Sequence, residues 1–301
     1  MSRTMWQGVF PAITTPFDAD GGVDHEFLAG HARRLVAAGC RGVVALGSLG
    51  EGATLQFAEK VEVLRTLVGA VGDRVPVVAG IAALSTDEAT DLARQADAVG
   101  GRGLMVLPPY VYRGDWHETR AHVEAILDAT RLSCMLYNNP IAYGTDFLPE
   151  QVRELTAHDN LHAVKDSSGD VRRITAMRAL LGDRLALFVG LDDAVVEGVA
   201  AGATGWVAGL VNALPEESVL VFEHALAGRD AEARELYEWF LPLLRLDTVP
   251  KFVQLIKLVQ QECGLGHERV RAPRMVLEGA EREVALSLIR ERLAMRSGAR
   301  R

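Results

Sequence analysis

The chain has 301 residues, 49% of them apolar, enough for one large domain or two ordinary ones. A formal net charge of −8 without any block of basic residues argues against nucleic acid or an anionic membrane as the main partner. Three cysteines with no close pair (Cys40, Cys134, Cys263), and no apolar run long enough for a signal peptide or a bilayer span, read as a cytoplasmic protein without disulfides.

Taken in order, short β-type apolar runs fall at residues 9–14, 42–46, 75–81, 103–107, 133–138, 162–166, 185–190 and 205–210. Helical periodicity follows each of them, at 25–38, 58–71, 87–99, 116–129, 149–157, 171–181, 193–201 and 216–227. Capping signatures such as Ser85-Thr86-Asp87-Glu88 open several helices, and glycines such as Gly39 and Gly100 close them. Strands alternating with helices indicate βαβ units and parallel pairing. Eight such units without a linker predict an α/β fold closed as a (β/α)8 TIM barrel over residues 1–228, although a doubly wound open sheet alternates in the same way. Beyond residue 228 the strands stop. Helical patterns at 230–246, 248–263 and 278–295 predict a C-terminal helical extension over residues 229–301. There Trp239 and Phe240 read as packing residues.

In a barrel of this kind the chemistry sits where the strands end. Five strand ends carry reactive or permissive residues: Gly47-Ser48-Leu49-Gly50-Glu51, Pro108-Pro109-Tyr110, Tyr137-Asn138-Asn139-Pro140, Lys165-Asp166-Ser167-Ser168-Gly169 and Gly190-Leu191-Asp192-Asp193. Lys165 ends a buried strand, where desolvation favours the neutral amine, a nucleophile towards carbonyls. The plainer reading is an ion pair with Asp166 or another rim carboxylate, and pattern alone leaves both open. Tyr137 ends the preceding strand, within reach of Lys165 in a barrel, and a phenol can move the protons that carbinolamine formation and collapse require. The glycine-rich turn can offer the backbone N–H groups of Ser48 and Leu49 to a carboxylate, with the Ser48 hydroxyl free for a relay. No HExxH or HxH spacing suggests a metal, and no GxGxxG or GxxxxGK[ST] motif suggests a nucleotide. His162 reads as a packing residue.

Together these residues resemble the dihydrodipicolinate synthase/N-acetylneuraminate lyase family, over nearly the whole length from Gly8-Val9-Phe10-Pro11-Ala12 to the last helices. The Gly-Ser-Leu-Gly-Glu turn, Tyr137-Asn138-Asn139-Pro140 and the separation of Lys165 from Tyr137 carry the resemblance. It implies a class I aldolase-type enzyme with no cofactor beyond a covalent Schiff base on Lys165, acting on a small 2-oxo-acid-like substrate and assembled as a homotetramer, a dimer of dimers. Tyr137 would shuttle protons, and Ser48 would stand where the synthases have a relay threonine. Tyr110 would match a tyrosine that enters the neighbouring subunit's site. Gly47, Ser48, Leu49 and Asn139 would contact substrate, with Gly190 and Val207 lining the floor.

The departures bear on the reaction. The synthases place an arginine, which binds the carboxylate of aspartate semialdehyde, where this chain has Ala142; Leu49 replaces a second threonine. Losing that cation costs a charge-assisted hydrogen bond of about 1.5–3 kcal/mol, so a substrate with one carboxylate fits better, although Arg113 could supply a replacement. Trp6-Gln7-Gly8, Lys165-Asp166-Ser167-Ser168-Gly169-Asp170 and the segment from Tyr237 to Leu244 are similar to the deaminases of bacterial hydroxyproline catabolism. Those enzymes convert 1-pyrroline-4-hydroxy-2-carboxylate to 2-oxoglutarate semialdehyde and ammonia. The alternatives are 4-hydroxy-tetrahydrodipicolinate synthesis, aldol cleavage or dehydration of a 2-oxo-3-deoxy sugar acid or 4-hydroxy-2-oxoglutarate, and a ligand-sensing relative without turnover.

Overall fold

A computed structural model describes residues 5–296. Eight parallel strands form one sheet: β1 (Gly8–Pro11), β2 (Val43–Ala45), β3 (Val77–Ile81), β4 (Gly103–Val106), β5 (Ser133–Asn138), β6 (Leu161–Asp166), β7 (Ala186–Val189) and β8 (Gly205–Ala208). Each pairs with its neighbours in chain order and β1 pairs with β8. A parallel bridge from Ala12 to Val44, with the Ile13 N–H donating to the Val44 carbonyl at 2.9 Å, joins β1 to β2 and closes the barrel. The strands are buried almost throughout, as expected of a parallel sheet covered on both faces.

Helices α1 (His25–Ala37), α2 (Phe57–Val71), α3 (Thr86–Ala98), α4 (Trp116–Asp128), α6 (Pro149–Leu155), α7 (Arg172–Leu181), α8 (Val195–Ala200) and α9 (Pro215–Leu226) wrap the barrel. Their starts are set by local chemistry. Asp24 accepts from the Phe27 N–H, Ser85 from Glu88, and Asp115 forms a reciprocal capping box with Glu118. One helix escaped the periodicity reading: α5 (Pro140–Tyr143), a single turn with Asn139 as its cap, Pro140 at its first position and Gly144 ending it at φ +71°. The second strand is shorter than its apolar run because Leu46 turns into the left-handed region at φ +64°.

Two cores result. The larger lies between sheet and helices. The smaller fills the barrel and includes Trp6, Phe10, Val44, Met105, Met135, Tyr137, Phe188 and Val207. Trp6 stacks on Phe10 at 5.8 Å, and both meet Phe188 edge-on. The Phe10 ring lies over Gly42, where a Cβ would come 2.1 Å from its Cε1. Trp6 Nε1 donates to Ser133 Oγ at 2.7 Å, and that hydroxyl is also 2.7 Å from His162 Nδ1, so His162 serves packing at the amino end.

After a turn at Gly228 (φ +66°) come α10 (Asp230–Leu244), α11 (Phe252–Glu262) and α12 (Gly279–Ala294). Trp239 and Phe240 stack within this extension at 5.3 Å. The extension is locked to the barrel from inside. Lys257 Nζ, almost wholly buried, donates to Glu51 Oε1 at 2.5 Å and to the carbonyls of Thr15 and Arg269 at 2.8 Å. Among the described residues no helix is long and apolar enough to cross a membrane.

Candidate active site

Strand register puts the two principal residues side by side. Tyr137 on β5 pairs with Lys165 on β6, both at the carboxyl end, and Lys165 Nζ stands 4.0 Å from the centre of the Tyr137 ring. Lys165 is only 6% exposed. The chain has four lysines. Lys60, Lys251 and Lys257 each bind a carboxylate, those of Glu88, Glu281 and Glu51. Among the described residues Lys165 alone has none. Asp166, its candidate partner, is engaged elsewhere: Asn138 Nδ2 donates to its Oδ2 at 3.0 Å, and the Ser168 N–H and hydroxyl donate to its Oδ1. A buried amine with no carboxylate bound to it marks the site.

Gly190 makes room for it. A Cβ there would lie 2.6 Å from Lys165 Cε and 2.0 Å from Ser167 Oγ, so the amine stem and that hydroxyl pack onto the glycine. Ser167 Oγ is buried with no hydrogen-bond partner among the described residues, a feature the sequence reading missed. Val207 is buried in the barrel interior, 1% exposed.

Asn139 sets the phenol. Its Oδ1 accepts from the Ala142 N–H at 3.0 Å, which turns Nδ2 towards the Tyr137 oxygen, also at 3.0 Å. The Tyr137 oxygen thereby accepts from the amide, and its own proton is free to be given elsewhere.

The turn after β2 is pinned hard. Glu51 sits in the left-handed region at φ 53°, wholly buried, bound by Lys257, by the Arg271 N–H at 3.0 Å and by Arg274 at 3.7 Å. The turn continues Gly47-Ser48-Leu49, and among the described residues the N–H groups of Ser48 and Leu49 have no partner within the protein. Such a pair of free donors suits a carboxylate. The Ser48 hydroxyl is hydrogen-bonded to the Tyr143 hydroxyl, not to Tyr110. The Tyr143 ring stands edge-on to Tyr137 at 5.8 Å, and Tyr110 lies 5.7 Å beyond it. Tyr143 comes from the one-turn helix α5, which only its Asn139-Pro140 start and Gly144 stop betray in the sequence. Burial pushes the Tyr143 hydroxyl well above the ordinary phenol range, and the neighbouring Tyr137 adds to this. Burial likewise raises Tyr110, against the pull of Arg274.

The rest of the mouth is acidic. Asp192 is fully buried and accepts from Trp206 Nε1 at 3.0 Å, from the Gly209 N–H at 3.0 and 3.1 Å, and from the Leu210 N–H at 2.7 Å. Burial pushes it up to about 6, with those donors and Lys165 opposing. Asp247 enters from the C-terminal extension, a contribution the sequence reading did not anticipate. Its Oδ1 is buried without a partner among the described residues, over Gly209, where a Cβ would approach within 2.1 Å. Burial and then Asp192 raise its carboxyl well above the usual range, Lys165 opposing. Ala142 is exposed, and Arg113 packs its guanidinium over Gly144. No group of three metal-ligating side chains occurs among the described residues. A cavity of about 670 Å³ between Ala53–Thr54 and 273–276 is lined by none of the residues around Lys165.

Known proteins place this geometry. The profile of the dihydrodipicolinate synthetase family matches residues 5–291. A 4-hydroxy-tetrahydrodipicolinate synthase of Haloarcula marismortui is 33% identical, the match covering 91% of this chain and 89% of that one. Among solved structures, the 4-hydroxy-tetrahydrodipicolinate synthase of Methylacidiphilum fumariolicum superposes with a TM-score of 0.91 at 28% identity, covering 97% and 99% of the two chains. The dihydrodipicolinate synthase of Acinetobacter baumannii, solved with pyruvate, gives 0.90 at 28% identity, covering 95% and 98%. With a closed parallel barrel, an unpaired amine at its mouth and a match over nearly its whole length, the chain belongs to the dihydrodipicolinate synthetase family of lysine Schiff-base lyases.

Proposed function

We propose that the protein deaminates 1-pyrroline-4-hydroxy-2-carboxylate to 2-oxoglutarate semialdehyde and ammonia, through a Schiff base on Lys165. The observation that carries the choice of substrate is the acidic mouth. Asp192 and Asp247 lie close enough to Lys165 for its charge to act on both, and Ala142 stands at the position of the synthases' arginine. With both carboxyls raised by burial, a second substrate carboxylate would add a further buried charge without that arginine to balance it, whereas a hydroxyl can hydrogen-bond to Asp247 Oδ1, unpartnered among the described residues.

The chemistry then runs as follows. The N–H groups of Ser48 and Leu49 hold the single carboxylate. Lys165 adds to the ring imine carbon, and the C–N bond of the ring breaks with a proton delivered to its nitrogen. The Schiff base acidifies the adjacent C–H; loss of that proton gives an enamine, whose electrons expel the hydroxyl one carbon further on as water. Tautomerisation produces a terminal imine, and two hydrolyses release ammonia and free Lys165. Tyr137 gives and takes the protons near the amine, while Gly190 and Val207 shape the floor.

A second reading is 4-hydroxy-tetrahydrodipicolinate synthesis from pyruvate and aspartate semialdehyde, favoured by the activity named for the Haloarcula marismortui relative. Purified protein offered each substrate separates the two. Release of ammonia with the semialdehyde supports the deaminase. Condensation of pyruvate with aspartate semialdehyde, or pyruvate release without ammonia, rejects it.

A further inference from the structure

Deamination of the hydroxylated pyrroline requires a hydroxyl to leave from the part of the substrate beyond the Schiff base, whereas Tyr137 lies at the amine itself. We infer that Asp247, from the C-terminal extension, is the general acid that gives its proton to this departing hydroxyl. The inference rests on the deaminase reading above and adds a catalytic residue to it.

The order of the strands puts a proton donor on either side of Lys165. Tyr137 precedes it by one strand, on β5. Asp247 lies two strands beyond it, over Gly209 at the end of β8. A Cβ on Gly209 would come 2.1 Å from Asp247 Oδ1, 2.5 Å from its Cγ and 2.7 Å from Oδ2, so the carboxyl lies flat on a residue without a side chain. The extension is tied to the rim at this point. Arg245, on the same turn, is 3.8 Å from Asp193, and the Tyr237 hydroxyl donates to the Asp193 carbonyl. Thr248 closes the turn, its N–H and its hydroxyl both donating to the Arg245 carbonyl.

Two carboxyls meet at Gly209 and are treated differently. Asp192 accepts from the Gly209 and Leu210 N–H groups and from Trp206 Nε1, donors that favour its ionised form. Asp247 Oδ1 is buried and accepts from no group among the described residues. Neighbouring carboxyls resist ionising together, so the charge settles on Asp192 and the proton on Asp247. Burial, then Asp192, hold the Asp247 carboxyl well above the usual range, with Lys165 opposing and Asp193 adding.

The step balances. In the enamine, the nitrogen lone pair re-forms the C=N bond, and the former double-bond pair joins the next two carbons. The C–O bond breaks, its pair stays with oxygen, and the Asp247 proton leaves with that oxygen as water. Asp247, now a carboxylate, takes a proton from the following carbon, which bears the freed nitrogen, while the electron pair of that C–H bond passes into the chain. The acid is thereby restored for the next turnover.

The test measures ammonia release by the purified protein from 1-pyrroline-4-hydroxy-2-carboxylate and from the analogue with fluorine in place of the hydroxyl. Fluoride leaves as an anion with little need of a proton. D247N should lose about 10³-fold in kcat on the hydroxyl substrate but less than about tenfold on the fluoro analogue. Both rates come from one sample, so their ratio does not depend on the fraction folded, and D247A should show the same ratio. Borohydride should trap on Lys165 of D247N an adduct that keeps the substrate hydroxyl, where the wild-type adduct has lost it. Equal losses on the two substrates, wild-type turnover of the hydroxyl substrate by D247N, or a D247N adduct without the hydroxyl would overturn the inference and leave the deaminase reading standing. Wild-type protein that released no ammonia from the hydroxyl substrate would overturn that reading, and this inference with it.

Discussion

The two ends of the barrel are built from the same eight strands under opposite rules. At the amino end the polar groups of the barrel filling are paired: Trp6 donates to Ser133, Ser133 meets His162, and the Trp6, Phe10 and Phe188 rings fill the space with favourable edge and stacked contacts. At the carboxyl end the accounts are left open. Among the described residues no carboxylate binds Lys165, Ser167 Oγ and Asp247 Oδ1 lack partners, and the N–H groups of Ser48 and Leu49 have none within the protein. Leu46, Glu51 and Val111 add three side-chain-bearing residues at positive φ, each costing about 1–3 kcal/mol. Polar groups left unmet and backbone held under strain are what a site looks like when a ligand is to supply the missing contacts. The strain is maintained by the extension, whose Lys257 and Arg271 clamp Glu51.

Two glycines break or sharpen that contrast. Gly190→Ala would drive a methyl group into Lys165 Cε and Ser167 Oγ at the mouth. A displacement of about 1 Å at a reacting group costs about 10²-fold in rate, so kcat should fall by that order with little change in melting temperature. Gly42→Ala would push the same methyl into the Phe10 ring at 2.1 Å. There the loss should be in stability, about 1–3 kcal/mol by denaturant titration, with activity per folded molecule retained. Equal losses of activity in both would show that the ends are not separate.

The last effect, absent at neutral pH and seen only in acid, concerns a buried group in the wall. His31 on α1 is 3.2 Å from Asn212 Oδ1 through Nε2, its Nδ1 unpartnered, and burial pulls it down to about 4, with the Asn212 contact opposing. The folded protein therefore keeps His31 neutral where the unfolded chain already binds a proton. Stability contributed by the neutral ring is whole above pH 6.5 and is lost as pH falls from there to about 4, a loss of about 3 kcal/mol. His31→Gln should flatten that acid limb in a melting-temperature series while leaving kcat at neutral pH unchanged. A changed kcat would place His31 in the chemistry.

How legible this was from the sequence follows from the range of each interaction. The eight strand and helix pairs show in local periodicity, and the placement of Lys165 beside Tyr137 follows from strand ends plus parallel register. Tyr143 was hidden because α5 is one turn long, too short for periodicity, and its partner Ser48 lies 95 residues away in sequence. Asp247 was hidden for a similar reason: residues 229–301 read as a packing extension, and only the closed fold brings one of their carboxylates over Gly209. Glu51 read as the end of a turn, whereas its buried ion pair spans 206 positions.

The account stands on Lys165 being the amine that bonds to substrate. Borohydride reduction of the protein with 1-pyrroline-4-hydroxy-2-carboxylate, and separately with pyruvate, followed by peptide mass mapping, tests it directly. A reduced adduct on the peptide containing Lys165, absent in Lys165→Ala, is the predicted result. An adduct on Lys60, Lys251 or Lys257 instead, or normal turnover by Lys165→Ala, would contradict it.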